Sequence, residues 1–328
     1  MKQTWKKLGA LLLCLLMVLS LTACAANAPQ ATEAPAEATQ TPAAAEETPA
    51  QTDAPAVEAE EITVTDLYGR EVTVSAVPER IVCLTASATE IAFALGAGDK
   101  VVGVDAYSDY PAETADLPKV GDYNGPNVEA ILALDPDVIF AGSGLQDEAI
   151  EQLCELGAVV VVNEATSYSQ IYDSIELTAR VLGADASAVI DGMHAAEEEA
   201  KALAAADENC PRVYYCVSYG EYGDYTCGQG AFVTDMLAMI NAESVTASLE
   251  YAWPTYTVEQ IIADDPDVIL VSGDQAYADG FCADSRYQEL RAVKEGHVYA
   301  VDANLSSRPG PRIVEALKAM AEILHGDK

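Results

Sequence analysis

Apolar residues in this chain gather into short dense runs separated by polar stretches, and strand-like and helix-like periods alternate along most of its length. Residues 62–66 and 72–74 alternate apolar with polar and are joined around Tyr68-Gly69-Arg70, which predicts a pair of short strands. Residues 80–85 form an apolar run fit for a buried strand. The run leads through Ser87 and Thr89 into a helical stretch, 90–95, that Gly96 ends. Residues 100–104 read as the next strand, followed by a long polar segment, 105–127, punctuated by Pro and Gly. Asn127 caps a predicted helix over 128–134, Asp135-Pro136 stops it, and 137–141 and 158–163 are further buried strands. Strands alternating with helices predict a three-layer α/β lobe with a largely parallel sheet. Residues 167–209 are strongly helix-forming and contain no Pro, so they predict helices between two lobes. Beyond them come a strand at 212–217, a Gly- and Tyr-rich stretch, a helix at 231–241 and a strand at 297–301. A last helix, 311–325, carries Ile313, Leu317, Met320 and Leu324 on one face.

One unit occurs twice. Residues 127–139 read NVEAILALDPDVI and residues 257–269, 130 positions later, read TVEQIIADDPDVI, with nine of thirteen positions identical and no gap. The same helix–turn–strand at matching places in two halves predicts two similar lobes facing across a cleft, and clefts bind ligands. Glu129 and Glu259 are equivalent in the repeat. Each falls in a first helical turn, where the helix dipole favours a carboxylate by about 0.3–1 kcal/mol, and Thr257 with Gln260 reads as a capping box.

The N-terminus has the layout of a secretory signal over residues 1–23: Lys2, Lys6 and Lys7, an apolar run from Leu8 to Leu19, then Leu21-Thr22-Ala23-Cys24. The apolar run falls short of the roughly 20 residues that span a bilayer. The closing tetrad resembles a bacterial lipobox, which implies cleavage before Cys24 and acylation of its thiol. The mature protein is then expected on the outer face of the cytoplasmic membrane, anchored by lipid on Cys24. Residues 24–61 are rich in Ala, Pro, Thr, Gln and Glu without an aromatic, Lys or Arg, and read as a disordered acidic tether. The remaining chain divides into an N-terminal lobe at 62–166, an interlobe helical segment at 167–209 and a C-terminal lobe at 210–328.

Charge narrows the function. With the three signal lysines removed, 14 basic residues face 53 acidic ones, a net charge near −39. Such a surface is unsuited to nucleic acid, whose phosphates demand Lys and Arg, and it gives no attraction to anionic lipid beyond the acyl anchor. Cys83, Cys154, Cys210, Cys216, Cys227 and Cys282 lack metal-type CxxC spacing, though disulfides among them are open. Only His194, His297 and His325 exist, and each reads as structural or exposed, so no metal site is expected. There is no P-loop, GxSxG elbow or HExxH, so neither an enzyme nor a resident cofactor is expected.

In order along the chain stand Asp66-Leu-Tyr-Gly-Arg70, Pro78-Glu-Arg-Ile-Val82, Ala88-Thr-Glu-Ile91 before Leu95-Gly96, and Tyr107-Ser-Asp-Tyr-Pro111. Leu117-Pro-Lys-Val-Gly121, Pro126-Asn-Val-Glu129, Asp135-Pro-Asp-Val138 and Ser307-Arg-Pro-Gly-Pro-Arg312 follow. Over about residues 66–325 the chain resembles substrate-binding lipoproteins of the iron-siderophore and cobalamin ABC-importer family. The resemblance implies two Rossmann-like lobes with central, mainly parallel sheets joined by a long linking helix, which permits small lobe motions. It implies partners too: a permease homodimer with its ATPase subunits, docked through one surface Glu per lobe at the positions of Glu129 and Glu259.

The ligand cleft is expected to be lined by loops carrying Tyr107, Tyr110, Tyr123, Tyr219 and Trp253, with weaker claims for Tyr222 and Tyr225. Sixteen Tyr against four Phe suits a large, partly polar ligand. Arg308, in a Ser-Ser-Arg-Pro-Gly loop, is the expected pocket cation, able to pair a ligand carboxylate, phosphate or catecholate; Arg312 reads as structural. Tyr107-Ser-Asp-Tyr-Pro111 and Trp253-Pro254 resemble the cobalamin-binding members most, and a single nominated cation favours a corrinoid or a neutral or cationic siderophore. Haem stays open through a Tyr ligand, and a lipid-anchored sensor module on the same lobes is the further alternative.

Overall fold

Ile62–Thr65 (β1) and Glu71–Val74 (β2) pair antiparallel, as the alternation predicts, and open the part of the chain that the computed structural model describes, residues 61–326. The expected signal, Cys24 and all of the tether but its last residue lie outside the described residues. The buried run at Ile81–Cys83 is β3. It feeds α1 (Ala86–Ala94), which starts earlier than the pattern suggests because the Thr85 side chain accepts from the Ala88 amide and caps it. There follow β4 (Val101–Val104), a minimal hairpin of β5 (Gly121–Asp122) and β6 (Gly125–Pro126), and α2 (Val128–Leu132). Then come β7 (Val138–Ala141), α3 (Asp147–Glu155) and β8 (Val160–Val162). The order β4-β3-β7-β8 is parallel throughout.

Two helices, α4 (Tyr168–Leu182) and α5 (Ser187–Ala205), lead to the second lobe; Gly183 ends the first with the left-handed φ of +63° that favours glycine. The second lobe contains β9 (Arg212–Ser218), β10 (Tyr225–Thr226), α6 (Phe232–Met239), β11 (Glu243–Ser244), α7 (Val258–Asp264) and β12 (Val268–Ser272). It closes with α8 (Gln275–Ala283), α9 (Arg291–Glu295), β13 (Val298–Val301), α10 (Ala303–Ser306) and α11 (Ile313–His325). In its sheet β11, β12 and β13 extend β9 in parallel, and only β10 runs antiparallel. Both lobes therefore place one strand, β3 or β9, between the strand that follows it and the strand of the repeat.

The repeated Asp-Pro-Asp folds the same way twice. Its first Asp, Asp135 or Asp265, takes a left-handed conformation, φ 47° and 44°, that turns the chain out of its helix. Its second Asp pins the strand start: Asp137 accepts from the amides of Glu79 and Arg80 at 2.8 and 2.9 Å, and Asp267 accepts from the amide of Arg212 at 2.9 Å. The Arg80 guanidinium donates to the carbonyls of Leu134 and Asp135, and that of Arg212 to those of Asp264 and Asp265. The repeat thus extends in space to an arginine outside it. The predicted capping box is present, with Thr257 and Gln260 each receiving the other's amide.

α4 ties the lobes together. Tyr168, Ile171 and Ile175 pack in the core that holds Phe232, Met236 and Leu317, while Leu177, Val181 and Leu182 pack with Val64, Ile81 and Val101. A helix buried in both cores resists wide hinge opening. α5 lies along α11. The six cysteines of the described residues are free, three of them buried. His325 is buried and structural, with its ring nitrogens against Asp207 and the Ile240 carbonyl. No helix among the described residues is long and apolar enough to cross a membrane, and they include no His, Cys, Asp or Glu cluster able to hold a metal.

Candidate functional site

Parallel sheets present the carboxyl ends of their strands on one edge, and ligands of doubly wound folds settle outside that edge where strand order reverses. Here both sheets do so toward one cleft of about 670 Å³. From the first lobe come Thr85 and Ser87 after β3, Asp105 after β4, Ser143 after β7 and Glu164 after β8. From the second come Val217 of β9, Ser272 at the end of β12, and α10 with the residues that follow it, up to Pro309, after β13.

Four of the six residues nominated from sequence as ligand contacts line this cleft: Tyr107, Tyr123, Trp253 and Arg308. Tyr107 and Trp253 are exposed at 57% and 41%. The Trp253 ring meets buried Phe232 edge-on at 5.3 Å, giving the second lobe an apolar wall. The other two lie elsewhere. Tyr110 stacks beneath the Arg312 guanidinium, 3.7 Å from its ring centroid, and does not line the cleft. Tyr219 belongs to an aromatic cluster with Tyr277, Phe281 and Tyr287, its ring centroid 4.5, 5.3 and 5.9 Å from theirs.

Arg308 is in place, but it is not a free cation. Its Nη1 donates to Glu90 at 3.2 Å and Asp109 at 2.7 Å, and its Nη2 to the Tyr107 carbonyl and Asn304. Arg312 adds a bidentate pair to the same glutamate, 2.9 and 2.6 Å, and that bond raises its pKa. Glu90, on α1, is 3% exposed, so a buried carboxylate of one lobe holds two arginines of the other. The Arg308 hydrogen bond holds the Asp109 carboxyl below the ordinary carboxylate range. Arg308 thus lines the cleft as expected, with its charge already paired to Glu90 and Asp109.

The cleft carries two carboxylates that sequence reasoning did not nominate. Asp105 is buried, which raises its pKa, and it accepts from the Ser108 hydroxyl and the Tyr107 amide. Glu164 is likewise raised by burial; its Oε2 accepts from Tyr123 at 2.9 Å and from the Ser143 amide at 3.2 Å. The same burial, with Glu164 alongside, pushes the Tyr123 phenol up. Tyr215, also unforeseen, lines the cleft from β9 at 1% exposure. A signal for Glu164 exists in its place two residues beyond the fully apolar strand β8; Tyr215 sits inside a strand run and carries none. The repeat glutamates Glu129 and Glu259 lie in the first turns of α2 and α7, both exposed, and neither has an ion-pair partner among the described residues.

Residues 81–305 match the periplasmic binding protein family. The chain is 36% identical over 290 residues to an uncharacterized ABC transporter substrate-binding lipoprotein, YvrC, of Bacillus subtilis, covering 84% of this chain and 90% of that protein. It is 30% identical over 247 residues to a vitamin B12-binding protein of Vibrio cholerae, covering 75% and 89%. The crystal structure of the periplasmic vitamin B12 binding protein BtuF of Vibrio cholerae superimposes with a TM-score of 0.63 at 28% identity, covering 76% of this chain and 97% of that one.

Proposed function

The chain belongs to the periplasmic binding protein family, and from that premise we propose that it captures a corrinoid between its lobes and delivers it to an ABC permease. The observation that supports this most is the charge of the cleft: its arginine is matched by Glu90 and Asp109, while Asp105 and Glu164 add negative charge. A ferric catecholate or the two propionates of haem would enter without a free cation to meet them. A corrinoid presents a broad apolar ring with a polar, uncharged rim, and Tyr107, Trp253 and Phe232 offer the faces that such a ring packs against. The names of the Vibrio relatives agree with this choice. No covalent step is required. Cys24 would carry the lipid anchor on the outer face of the cytoplasmic membrane, and Glu129 with Glu259 would meet the two halves of a permease homodimer that works with its ATPase subunits.

Calorimetric titration with cyanocobalamin, haem and a ferric hydroxamate siderophore tests the ligand assignment. One-to-one saturable heat with cyanocobalamin and none with haem is the expected result; binding of haem or the siderophore alone would replace the corrinoid. Trp253→Ala is expected to weaken cyanocobalamin binding at least about tenfold, the effect of truncating a central aromatic anchor. Because Trp253 is 41% exposed, its melting temperature should stay within a few degrees, on the order of a surface substitution. Unchanged affinity would remove Trp253 from the site.

A further inference from the structure

Two side-chain oxygens of cleft-lining residues, one from each lobe, keep hydrogen-bonding capacity that the protein does not fill with good geometry. Glu164 Oε2 is held by Tyr123 and Ser143, whereas Oε1 receives no donor. Gly142 lies close against the anchored oxygen: a Cβ there would stand 2.7 Å from Oε2, so the backbone leaves room for this carboxylate in this position. Among the described residues no Lys or Arg pairs with Glu164. From the other lobe, the Tyr215 hydroxyl lies beside Ser272 and Ser306 but within no well-formed hydrogen bond, although the residue is 1% exposed. Buried polar groups are nearly always partnered, and one left open on a residue that lines a ligand cleft calls for a partner that arrives with the ligand.

We infer that Glu164 and Tyr215 select ligands by their peripheral carboxamides, Glu164 Oε1 accepting an amide N–H and the Tyr215 hydroxyl donating to an amide carbonyl. This rests on the corrinoid reading. A primary carboxamide offers both the donor and the acceptor that these two atoms need. A carboxylate offers no donor and sets a second negative charge against Glu164, with Asp105 adding to the repulsion and Arg308 already neutralised. The cleft therefore reads the amidation state of the ligand's rim as well as the shape of its ring. Such discrimination works as much by rejecting the acid as by holding the amide.

The test is titration of the full-length protein in detergent with cyanocobalamin and with its derivatives in which one side-chain amide is hydrolysed to a carboxylate. Burial raises the Glu164 carboxyl, so the titration is run at pH 8 to keep it ionised. Wild type is expected to bind at least one carboxylate derivative about tenfold or more weakly than cyanocobalamin, the scale of a lost hydrogen bond to a charged group. Glu164→Gln, which keeps the shape and supplies an N–H donor, should bring that ratio within about threefold. Tyr215→Phe should weaken cyanocobalamin about three- to tenfold without altering the ratio. Equal wild-type affinities, or a ratio that Glu164→Gln leaves unchanged, overturn the assignment of Glu164 and leave the corrinoid reading standing. Full affinity in Tyr215→Phe overturns the hydroxyl's part. Absence of binding to every corrinoid by wild type overturns the corrinoid reading, and this inference with it.

Discussion

Glu90→Ala should lower the melting temperature on the order of 10 °C, because it removes the one buried carboxylate that two arginines share and costs about 3–5 kcal/mol. The argument is one of uncompensated charge. Arg308 and Arg312 have side chains only 11% and 19% exposed, and Glu90 lies almost wholly out of water between them. Deleting Glu90 leaves Arg308 with Asp109, which is exposed, and leaves Arg312 stacked on the Tyr110 ring without its bidentate acceptor. Differential scanning calorimetry reads the result directly. A shift below about 2 °C would mean that solvent reaches these arginines and screens them.

The same variant has a second expected outcome that a purely structural role does not share. With Glu90 gone, Arg308 is left only partly matched at the cleft wall, and an anionic ligand gains a cation to meet. Haem should then bind at least about tenfold more tightly than it does to wild type, the worth of a charge-assisted pair in a sheltered site. If stability falls but the preference among ligands does not move, the buried cluster is a strut between the lobes and the cleft owes its charge to other groups.

Which parts of this architecture the sequence makes legible follows from which interactions are local. The repeat was readable because its turn chemistry, Asp-Pro-Asp after an amphipathic helical turn, is carried by neighbouring residues. Its symmetry then set out the two lobes. Helices α3 and α8 are harder to see: each is only nine residues long, with two buried positions apiece, Ile150 and Leu153 or Ala278 and Phe281, and α8 contains Gly280, which lowers its helix propensity. The excess of tyrosine proved a mixed signal: Tyr107 and Tyr123 line the cleft, whereas Tyr214 and Tyr287 are among the largest fully buried side chains and Tyr219 packs into the same aromatic core as Tyr287. Arg308 stands out as a cation in a Ser- and Pro-rich loop of an acidic chain. Its partner Glu90 does not, since the two are 218 residues apart and nothing local in α1 marks Glu90 as buried. Long-range charge matching is the information that one sequence withholds, and here it pairs the arginine at the cleft wall with Glu90 and Asp109.

Glu129→Ala combined with Glu259→Ala should reduce cobalamin uptake by cells at least about a hundredfold, while the purified variant binds cyanocobalamin within about twofold of wild type. Each carboxylate is exposed at the start of a helix that leads into the central repeat strand of its lobe, α2 into β7 and α7 into β12. A helix that packs antiparallel to the strand it precedes begins beyond that sheet's carboxyl edge, the edge that carries the cleft. The two glutamates are therefore expected at equivalent points flanking the mouth, one per lobe, where a two-fold symmetric permease would present the same cationic group twice. The first-turn position stabilises each helix by only about 0.3–1 kcal/mol, so both changes together leave the fold intact. Loss of transport at unchanged affinity cannot come from the cleft, because neither residue lines it. The single variants separate the remaining explanations: two independent contacts give partial uptake from each, and a contact made by one lobe alone gives one silent and one fully defective change. Uptake that survives the double substitution would show that the lobes dock through other groups, and the repeat would then record a shared ancestry of folding rather than a matched pair of handles.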